Sequence, residues 1–222
     1  PMKMFFINND TKGYALTIDK NTVKKVEEFS KNVNISIPNI YFYISSLCSA
    51  ITNNVTNILP LELSNCRGSA LEKNCAGTKV QSVGCYTKID YSKSFIESLN
   101  EFNAYNFSLF RHLSFPDQDF EMLLHKTYKS SMLTTYYHLT FSFIPYSKPD
   151  NFEFNMYSNE KCALPAYVAL MYDINNKDIT INYDVQTKII TQQDVAKFHN
   201  TYVNIINQVI DNPDILIKDI MI

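Results

Sequence analysis

An apolar run at positions 37–52, IPNIYFYISSLCSAIT, constrains the fold more than any other stretch of the sequence. Ser36 can cap a helix at its start, and Pro38 fits the first turn of that helix. The helix would be apolar on nearly every side, which is typical of a helix buried on all its faces. The run is shorter than the roughly 18 apolar residues that span a bilayer. We therefore expect a buried helix with the rest of the chain around it.

The composition predicts one soluble, globular domain over residues 1–222. Of the 222 residues, 45% are apolar and 19% are charged, which suffices for a full core. The net charge of −2 and the lack of any Lys/Arg run argue against nucleic acid or an anionic membrane as partner. The 5 cysteines form no C-x-x-C pair, so neither a disulfide framework nor a metal site is predicted, and a reducing cytoplasm fits best.

Strand and helix signals are interspersed along the chain. Asp19 can cap one helix, and Thr191 with Asp194 forms a capping box that opens another. Periodicity predicts helices at 20–29, 37–52, 92–110, 117–125 and 192–210. It predicts strands at 14–18, 56–63, 80–91, 133–146, 164–174, 177–185 and 215–222.

The predicted strand at 80–91, VQSVGCYTKIDY, contains a glycine in mid-run. Gly84 marks either a bulge or the close approach of another group. A strand interrupted in this way is a candidate cavity wall. The alternative is an ordinary core strand with a glycine that serves packing.

Three groups of residues follow one another in a recognisable order. They are Arg67, then Val83, Gly84 and Tyr86, then His112, Pro116, Phe120 and Glu121. This order resembles the C-terminal lobe of condensation domains of nonribosomal peptide synthetases, which belong to the chloramphenicol acetyltransferase-like superfamily. In that lobe an arginine-containing loop precedes a [IV]-G-x-[FY] strand, a helix and an H-x-x-x-P-F-E segment.

The resemblance implies an α/β fold, an α+β two-layer sandwich whose mixed, largely antiparallel sheet carries helices on one face. It also implies that one lobe's strands line a substrate channel, with residues 64–79 as floor loop and 147–163 as a latch that crosses to the other lobe. The channel-lining candidates are Gly84, Tyr86, Lys88, Thr134 and His138. Residues with a structural role would be Arg67, His112, Pro116, Phe120 and Glu121.

Two departures from the family pattern weaken the case for full catalytic competence. Residues 117–119 are inserted before Phe120. Thr134 and Thr135 stand where the family has Asn and Pro, and His138 stands where it has Gln. A threonine hydroxyl offers one donor where a side-chain amide offers two.

The catalytic signature of the family, H-H-x-x-x-D-G, is absent from this sequence. The 4 histidines, at positions 112, 125, 138 and 199, are not adjacent to one another. We therefore expect no catalytic residue and no activity from this chain by itself. In the family reaction, the amine of one carrier-bound aminoacyl group attacks an upstream carrier-bound thioester. Both groups are held on phosphopantetheine arms. Implied partners are an N-terminal lobe and peptidyl or acyl carrier proteins, and no cofactor is bound directly.

Three functions remain open at this point. The chain is the C-terminal half of a peptide-bond-forming condensation domain, a non-catalytic module that docks carriers or partners, or a free-standing acyltransferase that uses an acyl thioester. A lobe without its counterpart should expose an aromatic-rich apolar face, and this face could promote self-association.

Overall fold

The computed structural model describes residues 2–3, 10–67, 69–76, 79–113, 115–132, 134–137, 139–147, 156–162 and 164–222. The strands are β1 (Met2–Lys3), β2 (Thr11–Ile18), β3 (Asn57–Ile58), β4 (Leu61–Asn65), β5 (Val80–Gly84), β6 (Thr87–Lys88), β7 (Thr134–Thr135), β8 (Thr140–Tyr146), β9 (Ala166–Asp173) and β10 (Asp178–Gln186). The helices are α1 (Lys20–Val33), α2 (Ile37–Thr52), α3 (Ala70–Lys73), α4 (Phe95–Phe110), α5 (Asp117–Tyr128) and α6 (Gln192–Asp211).

A mixed sheet of six strands, in the order β2-β10-β9-β8-β4-β5, forms one layer of the fold. Its outer pairs, β2 with β10, β10 with β9 and β4 with β5, are antiparallel. The two central pairs, β4 with β8 and β8 with β9, are parallel. Small two-stranded sheets join β1 to β7 and β3 to β6. The fold is thus the α/β fold that the sequence predicts.

Strand β10 shows why the sheet has one helix-covered face. Its residues alternate between buried and partly exposed positions along the first eight residues. The buried set is Ile179, Ile181, Tyr183 and Val185. Because side chains in a strand point alternately to opposite faces, this pattern packs one face against the helices and leaves the other near solvent.

Helix α2 is the buried helix that the apolar run predicts. Ser36 caps it by accepting a hydrogen bond from the Asn39 N–H, and every residue from 40 to 50 is buried. Phe42 stacks on Phe141 of β8, with ring centroids 5.0 Å apart. In the described part of the chain, no single helix has both the length and the apolar character to cross a membrane. The pair α1 and α2 reaches the required length and apolar composition only when the two are joined, and they meet at a bend of 109°.

The predicted strand at 80–91 is divided into β5 and β6, which belong to different sheets. Two further predicted strands are each divided in two. The predicted strand at 56–63 is β3 and β4, which belong to different sheets and are separated at Leu59 and Pro60. A proline has no N–H to give to a ladder, which explains the break. The predicted strand at 133–146 is likewise β7 and β8, and β7 pairs with the N-terminal β1. Strand propensity was strong in both segments, but tertiary pairing decided where each strand ends.

Other boundaries also differ from the sequence prediction. The C-terminal segment, predicted as a strand, instead forms a short 3-10 helix at Ile217–Asp219 after a single bridge between Ser94 and Leu216. The predicted floor loop at 64–79 is not irregular throughout. It includes the end of β4 and the short helix α3, which opens with a capping box.

Candidate functional site

Gly84 is the last residue of β5, the edge strand of the large sheet. A Cβ atom at this position would lie 3.0 Å from Phe120 Cε1, 3.3 Å from Tyr137 Cε1 and 3.5 Å from Leu59 Cδ1. The first of these distances is too short for an ordinary carbon contact. The close approach that Gly84 predicted is therefore present, and it lets α5 pack directly onto the end of β5.

Behind this contact lies a half-open cavity of about 1130 Å³. Its wall is formed by the end of α2, the loop around β3, α5, the segment between β7 and β8, strands β9 and β10, and the start of α6. Apolar side chains dominate, among them Ile58, Leu59, Phe120, Leu124, Tyr137, Val168, Val185 and Phe198. A large apolar cavity with a few polar groups is the usual form of a small-molecule site.

Tyr86 lies between this cavity and a second, smaller one. It is 50% exposed, and its hydroxyl donates to Asn57 Oδ1 at 2.6 Å. The second cavity, of about 210 Å³, contains Lys88 together with the ion pair between Lys93 and Glu101. Two of the channel-lining candidates, Tyr86 and Lys88, therefore border open space, although Lys88 borders only the smaller cavity.

The segment from His112 to Glu121 leads into α5. His112 lies in the exposed turn after α4, where its N–H donates to Leu109 O at 2.8 Å. Pro116 is the residue before α5, and its carbonyl accepts from the Phe120 N–H at 3.2 Å. Phe120 faces the large cavity, and a Glu121 carboxylate oxygen lies 3.9 Å from His125 Nε2. Among these residues, Phe120 is the one that approaches the end of β5 at Gly84, and the structural role of the segment stays a prediction.

Arg67 organises the loop between β4 and β5. Its guanidinium donates to Glu72 O at 2.6 Å and to Cys75 O. These contacts join Arg67 to α3 and to Cys75, which lies two residues after the end of α3. Arg67 lines neither of the two cavities. Both of these partners are backbone carbonyl groups, and the structural role of Arg67 stays a prediction.

Thr134 lies in β7, opposite Lys3 of β1. His138, the other candidate of this segment, lies outside the described residues, as do 148–155 and 163 of the predicted latch. The described end of the latch lies along β2 of the same lobe: Glu160 O accepts from the Thr11 N–H at 3.0 Å, and Ser158 Oγ donates to Asp184 at 2.9 Å. A crossing to a second lobe stays a prediction.

Sequence reasoning missed a buried carboxylic acid on β4. Glu62 is 7% exposed and accepts a hydrogen bond from Asn106 Nδ2 at 3.0 Å. Burial raises the pKa of the Glu62 carboxyl to about 7, although the Asn106 hydrogen bond opposes the shift. The only feature of the sequence that hinted at the burial of Glu62 was its position between Leu61 and Leu63 in a predicted strand. Because the sequence does not show which strand face is covered, this signal was not enough.

Two of the five cysteines, Cys48 and Cys85, are buried. Burial raises the pKa of the Cys85 thiol to about 12 and raises that of Cys48 further, so both thiols stay protonated at neutral pH. Among the described residues, no group of three or more His, Cys, Asp or Glu side chains is arranged to hold a metal ion. What remains is an apolar cavity with hydroxyl, amide and charged groups at its edge.

No family model matches the sequence, and no curated protein matches it either. Solved structures do match. A condensation domain from the monacolin K polyketide synthase MokA has a TM-score of 0.79 at 11% identity, over 95% of this chain and 49% of that one. An X-domain in complex with OxyB, from teicoplanin biosynthesis, gives 0.79 at 12% identity, over 96% and 48%.

A four-domain nonribosomal peptide synthetase, holo-AB3403, matches with a TM-score of 0.83 at 8% identity. The match covers 98% of this chain and 18% of the synthetase. This chain thus spans about half the length of the single domains that it matches. At such low identity the likeness concerns the fold. The chain has the fold of one half of a condensation domain, and this match is consistent with the C-terminal lobe.

Proposed function

We propose that this chain is the C-terminal lobe of a condensation domain in a nonribosomal peptide synthetase. The observation that carries the proposal is its match to condensation domains over nearly all of its own length and only about half of theirs. In this role the lobe supplies one wall of a channel. The phosphopantetheine arms of two carrier proteins would enter this channel from opposite sides.

The position of the cavity supports this role. Phe120, which packs against Gly84 at the end of β5, borders the same open space as Tyr86, whereas Gly84 itself lines neither cavity. A tethered acyl group needs a passage with apolar walls, and a catalyst of this kind gains much of its rate by holding two tethered reactants in contact. The attacking amine would be positioned by the H-H-x-x-x-D-G motif of the other lobe.

An exposed apolar surface supports the need for a second lobe. Several large apolar side chains on β5, the end of α4, the turn before α5 and α5 itself are exposed: Val80, Phe107, Phe115, Met122, Leu123 and Tyr128. A second lobe would cover such side chains and remove them from water. Without that lobe, the same residues favour self-association of the isolated chain.

The test joins this chain, in one polypeptide, to a lobe that carries H-H-x-x-x-D-G. Peptide-bond formation between two loaded carrier proteins is measured by mass spectrometry. We expect no product from the isolated chain and product from the joined protein. Tyr86→Ala should lower the yield about tenfold or more, since it borders the channel. Met221→Ala, at a position 74% exposed and outside both cavities and the predicted latch, is the control. Transfer by the isolated chain would contradict the proposal.

A second function is favoured by the X-domain matches. One of these X-domains is in complex with OxyB, so this fold also occurs in a protein that holds a partner. The threonines at 134 and 135, where the family has Asn and Pro, agree with such a docking module. Binding of a carrier or partner protein to the joined protein, with no transfer between loaded carriers, would favour docking over catalysis. A free-standing acyltransferase would instead transfer an acyl group without any second lobe.

A further inference from the structure

A chain of polar side chains runs from inside the protein to the large cavity. His125, near the end of α5, is buried, with its side chain 3% exposed. His125 Nδ1 lies 2.9 Å from Ser130 Oγ, and Ser130 Oγ is in turn hydrogen-bonded to the Tyr136 hydroxyl. On its other side, His125 Nε2 lies 3.9 Å from a Glu121 carboxylate oxygen. Ser130 and Tyr136 both line the cavity, so the chain ends at accessible hydroxyl groups.

The way in which α5 ends holds Ser130 in this place. Lys129 has φ 50°, a left-handed conformation that turns the chain back at the end of the helix. The Ser130 N–H then donates to His125 O at 3.1 Å. Backbone and side chain of Ser130 are thus both bound to His125, which fixes the distance between the serine hydroxyl and the imidazole.

The surroundings of His125 assign the direction of the proton chain. Nε2 is buried and has no hydrogen-bond partner among the described residues, and a carboxylate lies near it. The tautomer with its proton on Nε2 directs an N–H group toward this carboxylate, whereas the other tautomer would direct a lone pair toward it. The first arrangement is electrostatically favoured. Nε2 therefore carries the proton, Nδ1 accepts the Ser130 hydroxyl hydrogen, and Tyr136 donates to Ser130 Oγ. To accept a hydrogen bond from Nε2, the Glu121 carboxylate must come closer than the 3.9 Å that separates them.

We propose that this chain cleaves acyl esters or thioesters in the large cavity. Ser130 is the nucleophile, His125 is the general base, and the Glu121 carboxylate orients His125. A serine hydrolase is recognised by these three roles and their geometry, not by sequence order. The two imidazole nitrogens exchange their usual roles here, since Nδ1 faces the serine. The apolar wall of the cavity would hold the acyl group.

The reaction has two balanced halves. Ser130 Oγ gives its proton to His125 Nδ1 and bonds to the acyl carbon; the C–S or C–O bond breaks, and the leaving thiolate or alkoxide takes that proton. Water then gives a proton to His125 and its oxygen attacks the acyl-serine. Ser130 recovers its proton, and the acid is released. The Tyr136 hydroxyl is hydrogen-bonded to the attacking oxygen, Ser130 Oγ. Once Oγ has bonded to the acyl carbon, this hydroxyl would donate to the neighbouring oxyanion on the substrate.

This inference goes beyond the proposed function, and it departs from the sequence expectation that the isolated chain is inactive. Carrier-to-carrier transfer needs the second lobe, whereas hydrolysis at Ser130 needs only residues of this chain. The natural substrate would be the acyl thioester of the proposed function. The test substrates are small esters, so the two proposals can fail separately.

The experiment treats the full chain with a fluorophosphonate probe and locates the label by mass spectrometry. Hydrolysis of p-nitrophenyl butyrate is measured in parallel. We expect the label on Ser130, and Ser130→Ala should lose both the label and at least about 100-fold in kcat/KM. Ser131→Ala, at the exposed neighbouring serine, is the matched control and should keep both.

Two further variants separate catalysis from folding. Glu121→Gln should lower kcat about tenfold or more with KM unchanged, because the base loses its orienting carboxylate while the cavity stays intact. Tyr136→Phe should lower kcat in the same way. Equal hydrolysis by the two serine variants, or a folded chain with no label on Ser130, would overturn the inference. A joined two-lobe protein could still transfer between carriers in that case.

Discussion

Two regions of this molecule use aromatic side chains in opposite ways. Around α2 the rings are sealed: Phe42 lies between Phe102 and Phe141, with centroid distances of 5.6 and 5.0 Å, and none of it is exposed. Around α5 the rings are left partly open, since Phe115 is 50% exposed and Tyr128 66% exposed. The same residue types thus hold the fold together in one region and face open space in the other.

The difference in ring exposure indicates that the region around α5, and not the one around α2, is available for contact with other molecules. A sealed ring contributes its full buried area and van der Waals contacts to stability. A ring beside a cavity contributes only part of that area, but it can contact a ligand or another lobe. Stability and binding are therefore carried by separate parts of one lobe, and substitutions should separate them.

The largest expected effect compares one phenylalanine from each region. Phe42→Ala should lower the free energy of unfolding by about 3–5 kcal/mol, because it leaves a cavity in a closed core. Phe120→Ala should cost only about 1–2 kcal/mol, because its ring already borders open space. Urea unfolding of both variants measures the two values. Equal losses would break the comparison between a sealed and an open region.

The next effect concerns Glu62, on the strand between the two regions. Its pKa is raised from 4.5 to about 7, so the native state keeps a proton that the unfolded state loses. The stabilisation from Glu62 is fully present below about pH 4.5 and is lost as the pH rises through 7. Glu62→Gln keeps the hydrogen-bonding shape without this titration, and should remove up to about 3 kcal/mol of the stability lost between pH 5 and pH 8.

Unfolding curves at pH 5 and pH 8 check this expectation. Glu28→Gln, at an exposed position on α1 whose carboxylate is 3.9 Å from Lys24, is the control and should leave the pH dependence unchanged. An unchanged pH dependence in Glu62→Gln would show that water reaches this carboxyl from the open region.

The smallest effect tests the contact at Gly84. Gly84→Ala places a Cβ 3.0 Å from Phe120 Cε1, so the Phe120 ring must move away from β5, and we expect a loss of about 1–2 kcal/mol. Gly13→Ala on β2 is the matched control, since its Cβ would meet only Ser158 at 3.3 Å at the surface. Alanine is otherwise favoured over glycine in a strand, so Gly13→Ala should be near neutral. Thermal unfolding measures the stability of both variants. A Gly84→Ala variant more stable than the unsubstituted protein would contradict the direct packing of α5 on β5.

The sequence by itself determined the elements whose signals are local. Asp19, Ser36 and Thr191 each cap the helix that they predicted, because a cap depends on a side chain and the N–H groups two or three residues away. The burial of α2 followed from its apolar character on all sides. The order of weak motifs around Gly84 was enough to predict the condensation-domain fold, which the structural matches confirm.

Only the tertiary structure decided what depends on distant partners. The end of β7 at Thr135 was set by pairing with β1, and the two strands on either side of Pro60 pair with different partners, β3 with β6 and β4 with β8. The raised pKa of Glu62 comes from its burial in the folded chain, and the Asn106 amide that partly opposes the shift lies 44 residues away in sequence. The link from Ser130 through His125 to Glu121 arises from the turn at Lys129 and from the packing of Tyr136 against it. The sequence specifies which polar and titratable side chains are present. Folding decides which of them become buried next to one another, and this determines their pKa values and hydrogen bonds.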